Sequence, residues 1–159
     1  MFHIGDKIVY PMHGAGIIES IEEKEILGQK QSYYVVRMPI GEMKVLIPIQ
    51  NSREIGIREV ISNQDADKVF DILLDQQKNC TSNWNKRYRE NMLKIKSGNI
   101  FEVADVVRTL ILREKEKGLS TGEKKMLNSA KQILISELVL AKGLDQDTIE
   151  VKINQCFEG

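Results

Sequence analysis

The single tryptophan of the chain, Trp84, stands in a cluster of residues that could contact nucleic acid. It is followed within five positions by Lys86, Arg87, Tyr88 and Arg89. A large flat side chain beside several cations suits a minor-groove wedge, because the cations hold phosphates while the ring covers or separates bases. Packing is an equal alternative, since Trp84 and Tyr88 are four residues apart and share one side of a helix. The residues alone leave both interpretations open.

Two lysines, Lys124 and Lys125, form a second candidate anion site. They fall in the predicted first turn of a long helix, directly after residues 120–123 (STGE), which read as a capping box. Positive charge at a helix N-terminus is unfavourable, so a pair of lysines there favours a bound anion, although two solvated lysines are the commoner arrangement. A nucleotide phosphate loop is excluded, because residues 118–125 lack the four-residue glycine spacing and the Ser or Thr after lysine.

The usual catalytic and metal-binding patterns are missing from the sequence. His3 and His13 have no neighbouring ligands at zinc spacing, and Cys80 and Cys156 are too far apart in the chain to form a C-x-x-C pair. We interpret both cysteines as free thiols and predict neither an enzyme nor a bound cofactor or metal. No apolar run approaches the length of a membrane span and the first residues do not resemble a leader, so we expect a cytoplasmic protein.

Charge is distributed unevenly although the net charge is zero. Residues 84–131 hold 12 Lys and Arg against 6 Asp and Glu, a local charge of +6, while the rest of the chain is slightly acidic. A basic block of this kind favours a polyanionic partner, whose counterions are released on contact. A solvated helix face with a chance imbalance is the alternative.

The residues before position 62 predict a small β domain. Short β-rich runs separated by Gly and Pro indicate five strands, at 7–11, 16–25, 32–38, 43–49 and 56–61. Five strands favour a small barrel, and so few strands leave an edge that a strand of another protein could extend. We therefore predict an α+β chain whose first domain spans residues 1–61.

Residues 62–159 predict a second, helical domain, because the apolar spacing changes from two to about 3.6. Ser62 is placed to cap a first helix to Leu74, and a polar loop is expected at 75–81. Ser82 or Asn83 can cap a helix that ends near residues 97–99, and the next runs to about Lys117. The longest helix follows the capping box and ends at Gly143, and Asp145 can cap the last. Five helices in a compact bundle are the prediction.

Three sequence runs resemble the CarD/CdnL family of RNA polymerase-binding transcription factors. Residues 4–16 (IGDKIVYPMHGAG) are similar to the opening of the domain that this family shares with the bacterial transcription-repair coupling factor. Residues 83–91 (NWNKRYREN) and 118–127 (GLSTGEKKML) look like the CarD helical domain, which the coupling factor lacks. The likeness covers nearly the whole chain.

For the β domain, the resemblance implies a Tudor-like barrel that adds a strand to the β subunit of RNA polymerase. Lys24 falls where relatives place a cation facing the polymerase. Leu46 falls where some relatives carry an arginine at this contact, and Arg37 or Lys44 would then supply the charge. Backbone pairing would persist in either case.

For the helical domain, the resemblance implies minor-groove contact at the upstream edge of the promoter bubble, with stabilisation of the open complex. Trp84 matches the family's wedge. The basic positions implied to contact DNA are Lys86, Arg89 and Lys124, with Arg87 and Lys125 as neighbours on the same surface. We expect weak sequence specificity, because phosphate contacts and a wedge read shape. We also expect feeble binding to free DNA, because the net charge is zero. The alternative hypothesis is a polymerase adaptor in which Trp84 serves packing or a second protein.

Overall fold

The computed structural model describes residues 2–75 and 83–158. Within these ranges the chain has the predicted α+β architecture, with a five-stranded antiparallel sheet followed by helices. Apart from Asp75, the predicted polar loop at 75–81 lies outside the described residues, as do Ser82 and the thiol of Cys80. Cys156, the other predicted thiol, is free and buried.

The sheet consists of β1 Lys7–Tyr10, β2 Gly14–Ile26, β3 Gln29–Arg37, β4 Lys44–Pro48 and β5 Arg58–Glu59. Its strand order is β4-β3-β2-β1-β5, with every neighbouring pair antiparallel. Ile47 of β4 and Ile57 beside β5 belong to opposite ends of the sheet, yet they share one core with Ile8, Ile18 and Tyr34. The sheet must curl to bring its ends together, which gives the barrel-like shape that was predicted.

One element of the β domain was not predicted. A four-residue helix, α1 Ser52–Ile55, separates β4 from β5 and ends at Gly56, whose φ of 87° is left-handed. Glycine adopts this conformation without steric cost, so Gly56 ends a helix instead of beginning a strand. The predicted strand at 56–61 is therefore wrong in extent, and only Arg58–Glu59 pairs with β1.

The helical part comprises α2 Asn63–Leu74, α3 Trp84–Lys96, α4 Ile100–Glu116, α5 Thr121–Lys142 and α6 Gln146–Gln155. Each begins after a side chain that accepts a backbone N–H of the first turn: Ser62, Asn83, Asn99, Ser120 and Asp145. Such caps satisfy amide groups that have no partner inside the helix. The caps predicted at Ser62, Asn83, Ser120 and Asp145 are confirmed.

The sheet packs directly on α5. Val9, Ala15 and Leu140 form a small apolar cluster between them, and the Ala15 N–H donates to Ser136 Oγ at 2.9 Å. At Gly14, whose φ is 107°, a Cβ would stand 2.6 Å from Ser136 Oγ. Glycine is required at this position both by the backbone and by the close approach of α5.

A single carboxylate on α5 also connects the two parts of the chain. Glu137 is almost fully buried and accepts two hydrogen bonds from the Arg58 guanidinium, at 2.7 Å each, and a third from the Ile61 N–H at 2.9 Å. Arg58 Nε donates in addition to the Gly98 carbonyl at the end of α3. The β5 segment is therefore bound to two helices through one arginine.

Candidate nucleic-acid interface and sheet edge

Trp84 is the first residue of α3 and keeps 42% of its surface exposed. Its indole stacks on the ring of Tyr88, with centroids 5.0 Å apart and planes inclined by 19°. The packing alternative for this pair is thus confirmed in its geometry. The exposed part of the indole can still contact a partner, so the wedge stays a prediction.

A hydrogen bond ties the indole to the beginning of α5. Trp84 Nε1 donates to Ser120 Oγ at 3.0 Å, across 36 residues of sequence. Ser120 is the cap of α5, so the N-termini of α3 and α5 meet at Trp84. Gly122, in the first turn of α5, lies close to both aromatic rings. Free N–H groups and the positive ends of two helix dipoles therefore converge beside the exposed indole, which favours a nearby anion.

Four of the predicted DNA-contacting cations are exposed at these helix starts: Lys86, Arg89, Lys124 and Lys125. On α3, Lys86 and Arg89 lie three residues apart on the side away from the Trp84–Tyr88 stack. Lys86 comes no closer than 4.0 Å to Glu90, an exposed pair that contributes little energy. Lys124 and Lys125 belong to the same turn of α5 as Gly122. All four amino and guanidinium groups can approach a phosphate.

Arg87 does not lie on this surface, and its predicted exposure is corrected. Only 6% of its surface is accessible, and its guanidinium binds the carboxylate of Glu123, which is 2% exposed. Arg87 Nε donates to Oε2 at 2.8 Å and Nη2 to Oε1 at 3.1 Å. The reason is helical geometry, because position 87 turns toward α5 while positions 86 and 89 turn to solvent. Its partner Glu123 is the glutamate of the capping box, and the capping pattern alone does not indicate a pairing with Arg87.

The electrostatics of Glu123 follow from this pairing. Burial raises the pKa of the carboxyl, but the hydrogen bond and charge of Arg87, the charge of Arg113 and the Ser120 hydroxyl together outweigh burial and hold that pKa below its ordinary value. Glu123 is therefore ionised at neutral pH. Its negative charge is balanced by Arg87, so Arg87 does not serve an external anion. Of the predicted DNA-contacting cations, the four exposed ones remain for that role.

The second candidate site is the edge strand β4. Met38 N–H donates to the Met43 carbonyl and Ile49 N–H to the Ser32 carbonyl. In this register, residues 43, 45, 47 and 49 bond to β3, so the backbone groups of Lys44 and Leu46 point away from it. No further strand of the described residues pairs with β4. The outward row of N–H and C=O groups is what strand addition requires.

The side chains predicted to face the polymerase lie in two separate parts of the sheet. Leu46 is 40% exposed, and Arg37 and Lys44 are exposed and directly opposite each other on β3 and β4. Lys44 Nζ lies 3.1 Å from a Glu19 carboxylate oxygen. Lys24 instead pairs with Gln31, which lies six positions before Arg37 on β3 and so about 20 Å from it along the strand. Lys24 therefore marks the far end of the β2–β3 hairpin.

The two histidines each contact one neighbouring side chain. His13 packs on Tyr10, with ring centroids 4.2 Å apart, and His3 lies beside Asp6. Within residues 2–75 and 83–158, His, Cys, Asp and Glu form no group of three that could hold a metal. In the same ranges, none of the helices has both the length and the apolar character to cross a bilayer.

Two protein-family models match the chain. The model of the "CarD-like/TRCF RID domain" matches residues 2–61, and that of "CarD, C-terminal domain" matches residues 68–154, more than half of the chain. The first match covers the sheet with the β4 edge, and the second covers α3 and the start of α5 with Trp84. The two candidate sites therefore fall in the two family domains, one in each.

One curated protein and two solved structures are similar to the chain. The chain is 48% identical over 150 residues to the "putative transcription factor YdeB" of Bacillus subtilis (strain 168), covering 94% of this chain and 98% of that protein. Among solved structures it is similar to the N-terminal domain of Myxococcus xanthus CarD (30% identity, 37% of this chain, 79% of that chain, TM-score 0.33) and to CdnLNt of the same organism (45%, 39%, 87%, TM-score 0.34). The chain belongs to the CarD/CdnL family of transcription factors.

Proposed function

We propose that the protein is a non-enzymatic regulator that binds the RNA polymerase β subunit through the β4 edge and stabilises the promoter open complex through Trp84. The observation that carries the proposal is a half-exposed indole, held at the meeting point of two helix N-termini and accompanied by four exposed cations. Family membership supports a transcription partner in general.

The polymerase contact is proposed at the backbone of Lys44 and Leu46. Strand addition obtains its affinity from main-chain hydrogen bonds, so the leucine in place of an arginine changes only a side-chain contribution. Arg37 and Lys44 lie on the same face as Leu46 and would supply the positive charge there. Lys24, at the far end of the hairpin, would contact a separate part of the polymerase surface.

Leu46→Pro tests the edge contact. Proline removes the outward N–H but leaves the bonds between β4 and β3 intact, as Pro48 already does two residues away. We expect the fold to persist and the affinity for the β subunit to fall about 5- to 10-fold, the net value of one hydrogen bond. Titration of the isolated β subunit measures this, with thermal unfolding as a check on the fold.

Leu46→Ala is the matched control, because it shortens the same side chain and keeps the backbone donor. Binding of Leu46→Ala should stay close to that of the unchanged protein. Equal affinities for Leu46→Pro and Leu46→Ala would contradict pairing at this edge and place the contact elsewhere on the β domain.

On the DNA side, we propose that the uncovered face of Trp84 packs against bases at the upstream edge of the bubble while Lys86, Arg89, Lys124 and Lys125 hold phosphates. The contribution of Arg87 is indirect. Since Trp84 Nε1 already donates to Ser120, the exposed part of the indole is hydrocarbon and cannot read a base by hydrogen bonding. This supports the expectation of weak sequence specificity. Affinity for free DNA is expected to be low because the wedge needs polymerase to bring it to the promoter.

Trp84→Ala tests the wedge. Base–aromatic stacking contributes about 1–3 kcal/mol, so the lifetime of the open complex on a weak promoter is expected to fall about 10-fold, with polymerase binding unchanged. Lifetimes are measured by competitor challenge, and binding by β-subunit pull-down.

Leu93→Ala is the control, since Leu93 is another exposed apolar residue of α3. Its removal should leave the lifetime unchanged. If Trp84→Ala bound polymerase normally and left the open-complex lifetime unchanged as well, the protein would be an adaptor without a DNA wedge. In that case the stack with Tyr88 would serve packing alone.

A further inference from the structure

The buried ion pair beside Trp84 lies where a surface cation was expected. Arg87 and Glu123 join α3 to α5 through two hydrogen bonds, of 2.8 and 3.1 Å. Removing two charges from water is costly, and a hydrophobic pair of similar volume often stabilises a protein as well or better. The pair is therefore poorly explained by stability alone. Its neighbours suggest what else it does.

The hydroxyl of Ser120 connects the ion pair to the indole. Ser120 Oγ accepts from Trp84 Nε1 at 3.0 Å and from the Glu123 N–H at 3.2 Å, and it lies 3.4 Å from Glu123 Oε1, to which it donates. A serine hydroxyl has one donor and two acceptor positions, so all three are used. Because the Ser120 hydroxyl donates its hydrogen bond to the carboxylate, the two lone pairs of Oγ are directed at the indole and at the backbone of α5. The orientation of the indole thus depends on the charge that Arg87 holds in place.

This connection matters because Trp84 occupies an exposed helix start. The first residue of a helix has fewer backbone hydrogen bonds than the interior and frays readily. Stacking on Tyr88 restricts the plane of the indole, but a half-turn about the Cβ–Cγ bond would keep that plane and reverse the edge that carries the N–H. The bond to Ser120 removes this freedom, since it fixes the direction of the single N–H. Together, one contact from α3 and one from α5 define which edge and which face of the ring are presented.

We propose that Ser120, Glu123 and Arg87 are positioning residues for Trp84, which hold the indole ready to enter the minor groove. The proposal rests on the wedge function proposed above. Arg87 acts through Glu123 and Ser120, and does not contact a phosphate. Holding the ring in advance lowers the entropy lost when it enters DNA, so the network raises open-complex lifetime without touching DNA.

Ser120→Gly tests the proposal with little effect on helix capping, because glycine costs only a few tenths of a kcal/mol at a cap. The chain has one tryptophan, so acrylamide quenching and fluorescence anisotropy report on Trp84 alone. We expect quenching to rise and anisotropy to fall in the free protein. The open-complex lifetime should shorten about 5-fold, the value of one hydrogen bond. Ser120→Thr, which keeps the hydroxyl, should restore both readouts.

Ser62→Gly provides the matched control. Ser62 caps α2 in the same way, through the Asp65 N–H, and is not part of the network around Trp84. The quenching, the anisotropy and the open-complex lifetime of Ser62→Gly should equal those of the unchanged protein. If Ser120→Gly behaved like Ser62→Gly in either readout while Trp84→Ala still shortened the lifetime, the positioning proposal would be overturned and the wedge would stand. If Trp84→Ala had no effect, the wedge would fail and positioning with it.

A comparison of neighbouring cations separates positioning from phosphate contact for Arg87. Lys86→Gln removes an exposed charge, so the dependence of open-complex lifetime on log salt concentration should weaken by about one phosphate contact, with fluorescence unchanged. Arg87→Gln should show the reverse, with increased quenching and an unchanged salt slope. A reduced slope with unchanged fluorescence for Arg87→Gln would overturn its assignment.

Discussion

Glu123→Ala is expected to lower the free energy of unfolding by about 3–5 kcal/mol, the range found when one partner of a buried ion pair is removed. The substitution takes the carboxylate away from the Arg87 guanidinium, which is itself almost fully buried. It also deprives Ser120 of an acceptor at the start of α5. Urea unfolding followed by circular dichroism measures the change.

Two further variants test whether the loss of stability comes from leaving one buried charge unpaired. Glu114→Ala removes an exposed glutamate from α4 and should change stability by less than about 0.5 kcal/mol. The double variant Arg87→Met with Glu123→Leu should recover most of the stability, because the cost comes from leaving one charge behind and not from losing the attraction. If Glu123→Ala lowered the free energy of unfolding no more than Glu114→Ala does, the Arg87–Glu123 pair would not be buried as described.

The same pair has a pH signature. Burial raises the pKa of Glu123, but Arg87, Arg113 and Ser120 together lower it by more than burial raises it. The pKa in the folded protein therefore lies below that in the unfolded chain. The stabilisation is then complete above the unfolded pKa and is lost as pH falls through the folded one. Stability measured from pH 7 downward should therefore fall less steeply for Glu123→Gln than for the unchanged protein.

Glu137→Ala is expected to have the second large effect, a loss of about 2–4 kcal/mol, since Arg58 keeps partial access to water. The substitution removes the α5 acceptor of two hydrogen bonds from Arg58 of β5 and of one from the following Ile61. It should also uncouple the two candidate interfaces, because β4 is attached to the helices through this sheet. We expect β-subunit binding to persist while open-complex lifetime falls.

Glu59→Ala serves as the comparison, because Glu59 is the exposed neighbour of Arg58 on the same strand. Its stability and lifetime should match the unchanged protein. Should Glu137→Ala reduce the lifetime no more than Glu59→Ala, the apolar cluster of Val9, Ala15 and Leu140 would be sufficient to hold the two parts together.

Much of the helical part could be predicted because its signals are local. Ser62, Asn83, Ser120 and Asp145 each accept an N–H from a residue three positions later, so cap and helix are specified within one turn. The β domain was predicted less well at Gly56, where a short helix replaces the beginning of a strand. Glycine is compatible with both a turn and a helix end, and only the surrounding chain distinguishes them.

The sequence by itself determined the family, the order of strands followed by helices, and the Trp84 cluster with its basic surroundings, since each depends on residue types or on spacing within a few positions. Tertiary structure decided which cations reach solvent. Arg87 differs from Lys86 only in its direction around α3, and its partner Glu123 lies 36 residues away. It also decided that the open backbone groups of β4 belong to Lys44 and Leu46, because strand register is set by pairing with β3. Contacts over such separations depend on how helices and strands pack on one another, and the local apolar pattern shows which face is buried but not which distant residue it meets.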